Sequence, residues 1–252
     1  MQVELIGSTC AGKSTLARKI MDAGRKQNID VSLSDDFVLK GSRLNWIKNE
    51  FLRRRLIELL AFAACLVHWR EHEEFYRFAI QMSLRVPGSW WYKFNVARNT
   101  LRKVGIYNIV RRRSSGKHVV LLDNEGVLQA SHTLFVHVHG AAPDTSSLST
   151  FVSLAPLPTV VVYLRQGESV LIERTIKRGH NRIARSASRE DVERFIRRAI
   201  DVFDELERHP LIADRLLVID GERSELVVGE HLNNAHLAKA AALIRLGLDS
   251  AP

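Results

Sequence analysis

Five short apolar runs punctuate the chain at 3–6, 28–34, 118–122, 159–164 and 215–219. Bounded by polar or turn residues, runs of this length predict buried strands. Between them, apolar positions fall three and four residues apart, the spacing of amphipathic helices. One such pattern starts at 15–20, another opens at Gln129, and a third begins at Gly167 and Glu168. Gly179 predicts the stop of that third helix. Ser188 and Asp191 resemble a capping box for a long helix reaching Arg208, which His209-Pro210 ends. A last helix is expected over about 233–246. Strands alternating with helices predict an α/β fold around a parallel sheet.

Two stretches interrupt that alternation. Residues 43–113 read as helix throughout, with Leu52, Leu56, Leu59, Leu60, Ala63, Leu66 and Val67 predicting one apolar face. Further helical patterns run over 73–84 and 90–104, separated by Pro87-Gly88. The Ser- and Pro-rich segment 143–158 predicts an ordered loop.

Composition adds scale and charge. At 252 residues and 46% hydrophobic, the chain can bury a sizeable core, as one α/β domain over 1–252 with an insertion. A net charge of +9 suits a polyanionic ligand, and equally nucleic acid or an anionic membrane surface. Two isolated cysteines, Cys10 and Cys65, make neither a disulfide framework nor a metal site. The first residues pass straight into a strand with no leader pattern, and the longest apolar run, 56–69, contains Glu58 and His68. A cytoplasmic protein is therefore expected.

The chemistry concentrates at strand ends. Directly after the first strand stands Gly7-Ser8-Thr9-Cys10-Ala11-Gly12-Lys13-Ser14-Thr15. This fits G-x-x-x-x-G-K-[ST], the phosphate-binding P-loop, with the strand before it and the helix after it that the motif requires. The glycines let successive backbone N–H groups converge at a helix N-terminus, where donors and dipole favour anions. Lys13 brings a charge to the β- and γ-phosphates, and the Ser14 hydroxyl can ligate Mg²⁺. After the second strand come Asp35 and Asp36, placed to accept a proton from an acceptor hydroxyl, to hold Mg²⁺, or simply to open a helix. The third strand ends in Asp123, the carboxylate a P-loop enzyme needs near Mg²⁺, with Glu125 a further candidate and Gly126 allowing close backbone approach. His132, His137 and His139 resemble a metal cluster only in spacing, and no cysteine supports them. Past the fourth strand, Arg174 and Arg178 lie four apart on one helix face, with Arg182 and Arg185 in the segment behind. Arginines there can close over a transferring phosphoryl group and exclude water, which separates a kinase from an ATPase.

With GSTCAGKST, SDDF, VVLLDNEGVLQ and VVVYLRQGESVLIERTIKRG in order, the sequence resembles the P-loop nucleoside/nucleotide kinase group, thymidylate-kinase-like proteins especially. That resemblance implies a three-layer P-loop NTPase fold with a five-stranded parallel sheet, a helical acceptor-binding insertion at 43–113 and a lid at 174–188. It implies ATP and Mg²⁺ as cofactors, with residues 7–15 on the phosphates, Ser14 and Asp123 at the metal, and Gly221 beside the adenine. Asp35 matches the base position, with Asp36 its substitute, and Arg174, Arg178 and Arg182 match lid residues. The pattern departs at Asn124-Glu125-Gly126, where deoxynucleoside kinases usually carry an arginine. A small-molecule acceptor is the first expectation and a polynucleotide 5′-hydroxyl the second. A third is a nucleotide-dependent switch that docks a partner or membrane through Trp46, Trp69, Trp90, Trp91 and Tyr92 among the basic residues of the insert.

Overall fold

The computed structural model describes residues 1–44, 46–114, 118–138, 144–180, 182–183, 187–221, 225–227 and 235–249. The elements run in order as β1 Gln2–Ile6, α1 Lys13–Lys26, β2 Val31–Leu33, α2 Ser34–Gly41, α3 Glu50–Val67, α4 Glu73–Arg85 and α5 Trp90–Arg113. They continue as β3 Val119–Leu122, α6 Ala130–Phe135, α7 Thr145–Leu154, β4 Val160–Arg165, α8 Glu168–Arg178 and α9 Arg189–Arg208. The chain closes with α10 Pro210–Ala213, β5 Leu216–Asp220, β6 Glu225–Val227 and α11 Ala235–Asp249. A 3₁₀ turn, Trp69–His72, joins α3 to α4.

The sheet order is β2-β3-β1-β4-β5-β6. The first five strands are mutually parallel, as their apolar runs predict, and place every strand-end residue on one edge. The short β6, which the sequence reading did not anticipate, adds antiparallel to β5. Helices cover both faces: along β3, Val119 and Leu121 bury into one apolar cluster and Val120 and Leu122 into another. The second cluster is closed by Val38 and Leu39 of α2, Ile57 and Ala61 of α3 and Ile106, Ile109 and Val110 of α5. The capping box forms as expected, with the Ser188 hydroxyl and Asp191 carboxylate each taking the other residue's backbone N–H.

Two expectations are corrected. The predicted apolar face of α3 packs only in part: Leu56 and Leu60 lie against the second cluster beside the buried Ile57, Ala61 and Cys65, whereas Leu59, Leu66 and Val67 are 65%, 73% and 76% exposed. The buried residues are small or slender because α5 crosses closely; a Cβ on Gly105 would lie 2.0 Å from the Ala61 carbonyl oxygen. The segment 143–158 holds a helix, α7, and not only a loop. Asp144 caps it by accepting the N–H groups of Ser146 and Ser147. Thr150 and Ser153 satisfy their hydroxyls on carbonyls one turn earlier, and Leu148, Phe151 and Val152 bury the apolar side of the helix. Among the described residues no helix is long and apolar enough to cross a membrane.

Candidate phosphate-binding site

Strand β1 ends against β4, and the backbone must turn sharply there. Gly7 has φ of +145°, and a Cβ on it would lie 2.7 Å from the Leu164 carbonyl oxygen. Gly12, at φ +102°, is the N-cap of α1, and Cys10 sits in the left-handed region at φ 61°. The loop between them is held from inside. The Lys13 ammonium donates to the carbonyls of Gly7 and Ser8, both at 2.9 Å. The Gln129 side-chain amide pairs with Gly7 as a neighbouring strand would, accepting its N–H and donating to its carbonyl, both at 3.2 Å. Burial lowers Lys13 to about 8, opposed chiefly by the charge of Asp123.

The loop forms one wall of a cavity of about 1050 Å³. Residues 9–15 of the predicted motif line it. Arg174 and Arg178 enter from α8, and Arg174 donates to the Cys10 carbonyl at 3.4 Å. Gly221 lines the cavity beside Gln166; a Cβ there would lie 2.1 Å from the Gln166 side-chain oxygen. The loop motif, the two arginines and the Gly221 turn, distant in sequence, are thus brought to one space.

Arg182 does not line this cavity. Its guanidinium donates to the carbonyls of His132 and Val136 at 2.9 and 3.1 Å, meets the ring Nδ1 of His132, and lies over the Phe195 ring at 5.1 Å. It ties the segment after α8 to α6. Arg185 and the rest of 184–186, residue 181 and His139 lie outside the described residues. Among the described residues no group of three metal-ligating side chains assembles.

The carboxylates divide by environment. Asp35 and Asp36 both fall in the first turn of α2. Asp36 is exposed and paired with Arg53 at 2.6 Å. Asp35 faces inward, and burial and then the neighbouring charge of Glu125 push its carboxyl up to about 6. Its Oδ1 is buried without a partner, as is Oδ1 of Asp123.

Three further charged residues organise the site and were passed over in the sequence. Arg102 of α5 pairs with Glu125, and Lys103 donates to the Asn124 carbonyl. Glu4, on the central strand, is fully buried and pushed up to about 7 by burial. Its carboxylate accepts the Gln129 N–H at 2.8 Å. Gly126 makes room for it, since a Cβ there would lie 2.0 Å from the Glu4 carboxyl carbon. A carboxylate in an otherwise apolar central strand was the available signal for Glu4. Arg102-Lys103 inside the third insert helix was the signal for the other two.

No family model matches the chain, and no curated protein is similar to it. Among solved structures the chain is similar to deoxyadenosine kinase from M. mycoides. With bound dCTP that protein gives 14% identity and a TM-score of 0.41 over 100% of both chains. With products dCMP and a flexible dCDP it gives 14% and 0.42 over 100% of both. With bound dATP it gives 13% and 0.43 over 99% of this chain and 100% of the other.

Proposed function

We propose that the chain is a phosphotransferase moving the γ-phosphoryl group of ATP to a hydroxyl of a small-molecule acceptor. The observation that carries this reading is the single cavity lined by Lys13 of the loop together with Arg174 and Arg178 of α8. A loop alone binds nucleotide; cations entering from a second element neutralise charge on the transferring group and exclude water. Gly221 and Gln166, at the sheet edge beside β4 and β5, mark the base end of the nucleotide.

Ser14 and Asp123 fit a divalent ion: Ser14 lines the cavity, and Asp123 keeps one buried carboxylate oxygen without a partner. Bound there, Mg²⁺ would neutralise phosphate charge. The chain's own residues do the rest. Lys13 and the two arginines hold the γ-phosphoryl oxygens. Asp35 takes the proton of the acceptor hydroxyl as its oxygen bonds to the γ-phosphorus; the bond from that phosphorus to the β,γ-bridging oxygen breaks, and ADP leaves.

The test is a panel of hydroxyl-bearing acceptors with ATP and GTP as donors, followed by variants. Asp35→Asn should lower kcat about 10²- to 10⁴-fold while nucleotide binding is kept. Because Asp35 must be ionised and lies at about 6, the wild-type rate should fall as pH drops through that value. The variant should lose that acid limb, and Asp36→Asn should keep it. Full turnover by Asp35→Asn removes the base from this scheme. Nucleotide hydrolysis with no acceptor in the whole panel replaces the scheme with an ATPase.

A further inference from the structure

A second cavity, about 230 Å³, adjoins the first and shares Lys13 and His180 with it. Its other walls bring Lys103 from α5, His132 and Thr133 from α6, and Arg182 from behind α8. No carboxylate is among its described lining residues. The guanidinium of Arg182 can only donate, so the His132 Nδ1 it meets must accept, and Nε2 carries the ring proton. That Nε2 is buried and has no partner, in a residue that is 6% exposed. Lys103 has given one hydrogen to the Asn124 carbonyl and has two left. A buried donor without an acceptor is unfavourable. His132 lines a chamber together with two lysines and an arginine, and an oxyanion is the ligand that satisfies such a lining.

We infer that the acceptor brings an oxyanion of its own, of the phosphate-ester class, which the second cavity seats against Lys103, His132 and Arg182. The inference rests on the transfer reading above and names its substrate class. Lys13 then stands between the two anions, facing the nucleotide on one side and the acceptor on the other. Burial disfavours the charged form of Lys103, and Glu125 and Glu4 support it; an incoming oxyanion adds to that support.

The alternative occupant is the transferring γ-phosphoryl group itself, and the probe must separate the two. Inorganic phosphate is titrated calorimetrically into protein saturated with Mg²⁺ and β,γ-imido-ATP, which fills the γ position. One equivalent of phosphate is expected to bind. Lys103→Gln should weaken it at least tenfold. Thr133→Asp, at a half-buried position, should do the same by repulsion, should leave β,γ-imido-ATP binding within about twofold, and serves if the buried Lys103 variant fails to fold. In turnover, an acceptor carrying a phosphate ester should exceed its dephosphorylated form at least tenfold in kcat/KM, and Lys103→Gln should erase the difference. Phosphate that binds only without the analogue, or that ignores both variants, overturns the inference and leaves the transferase reading standing. Failure of β,γ-imido-ATP to bind removes the transferase reading, and this inference with it.

Discussion

Helices α1 and α3 are both amphipathic in outline, yet they use their apolar residues differently. In α1 the buried set, Leu16, Ala17, Ile20 and Ala23, is the apolar stripe seen in the sequence, packed under the loop it follows. In α3 apolar residues occupy both sides; the side that packs holds Ile57, Ala61 and Cys65, with Leu56 and Leu60 half-buried beside them, and its closest approach sets Ala61 against Gly105. Leu59, Leu66 and Val67 face outward. The difference teaches that size at the closest approach of two helices can decide the buried face when hydrophobicity is balanced around the axis. The half that carries the loop is built on a stripe and a motif; the insert is built on a close crossing that no local pattern announces.

Changes on the two sides of that comparison should differ in kind. The largest effect belongs to Lys13→Ala, which should lower phosphoryl transfer about 10³-fold in steady-state assays while circular dichroism shows a folded protein. Retained turnover breaks the loop half of the comparison. Gly105→Val should cost about 3 kcal/mol in chemical denaturation, because the obstructing atom at Ala61 is backbone and cannot step aside. A neutral result there removes the close crossing.

Glu4→Gln tests the charge under the loop. Folding raises the Glu4 carboxyl to about 7, so the folded state keeps a proton that the unfolded state releases. Its contribution to stability is full below the unfolded value near 4.5 and is lost as pH rises through about 7. The stability difference between wild type and Glu4→Gln should therefore change across that window and level off above it, in denaturant melts taken at stepped pH. The smallest effect is expected from Leu66→Ser, within about 0.5 kcal/mol, since its side chain is exposed. A large loss there would show that the outer side of α3 is packed.

The five parallel strands, the loop and the strand ends and helix that carry Asp35, Asp123, Arg174 and Arg178 were legible because each lies in, or at the end of, one contiguous pattern. The choice between Asp35 and Asp36 was not. Neighbours in a helix point about 100° apart, and only the sheet beneath α2 decides which one turns inward. Arg102 and Lys103 escaped for a different reason: their partners, Glu125 and Asn124, are more than twenty residues away and meet them only once α5 runs beneath β3. Arg182 looked like a lid residue by its place behind α8, and the carbonyls at the end of α6 hold it elsewhere. The helix at 145–154 was hidden by composition, since serine is a poor helix former; the Asp144 cap and the burial of Leu148, Phe151 and Val152 hold it.

The contact of Lys13 with its own loop has one more consequence. The loop already contains a guest. Its two carbonyls act as a neutral placeholder for phosphate oxygens, keeping the ammonium on station and the turn in shape. On the phosphotransferase reading, an incoming phosphate would draw the ammonium from these carbonyls and would not have to mould a slack chain. The recognition surface is therefore ready-made, and what changes hands on binding is a single side chain's allegiance.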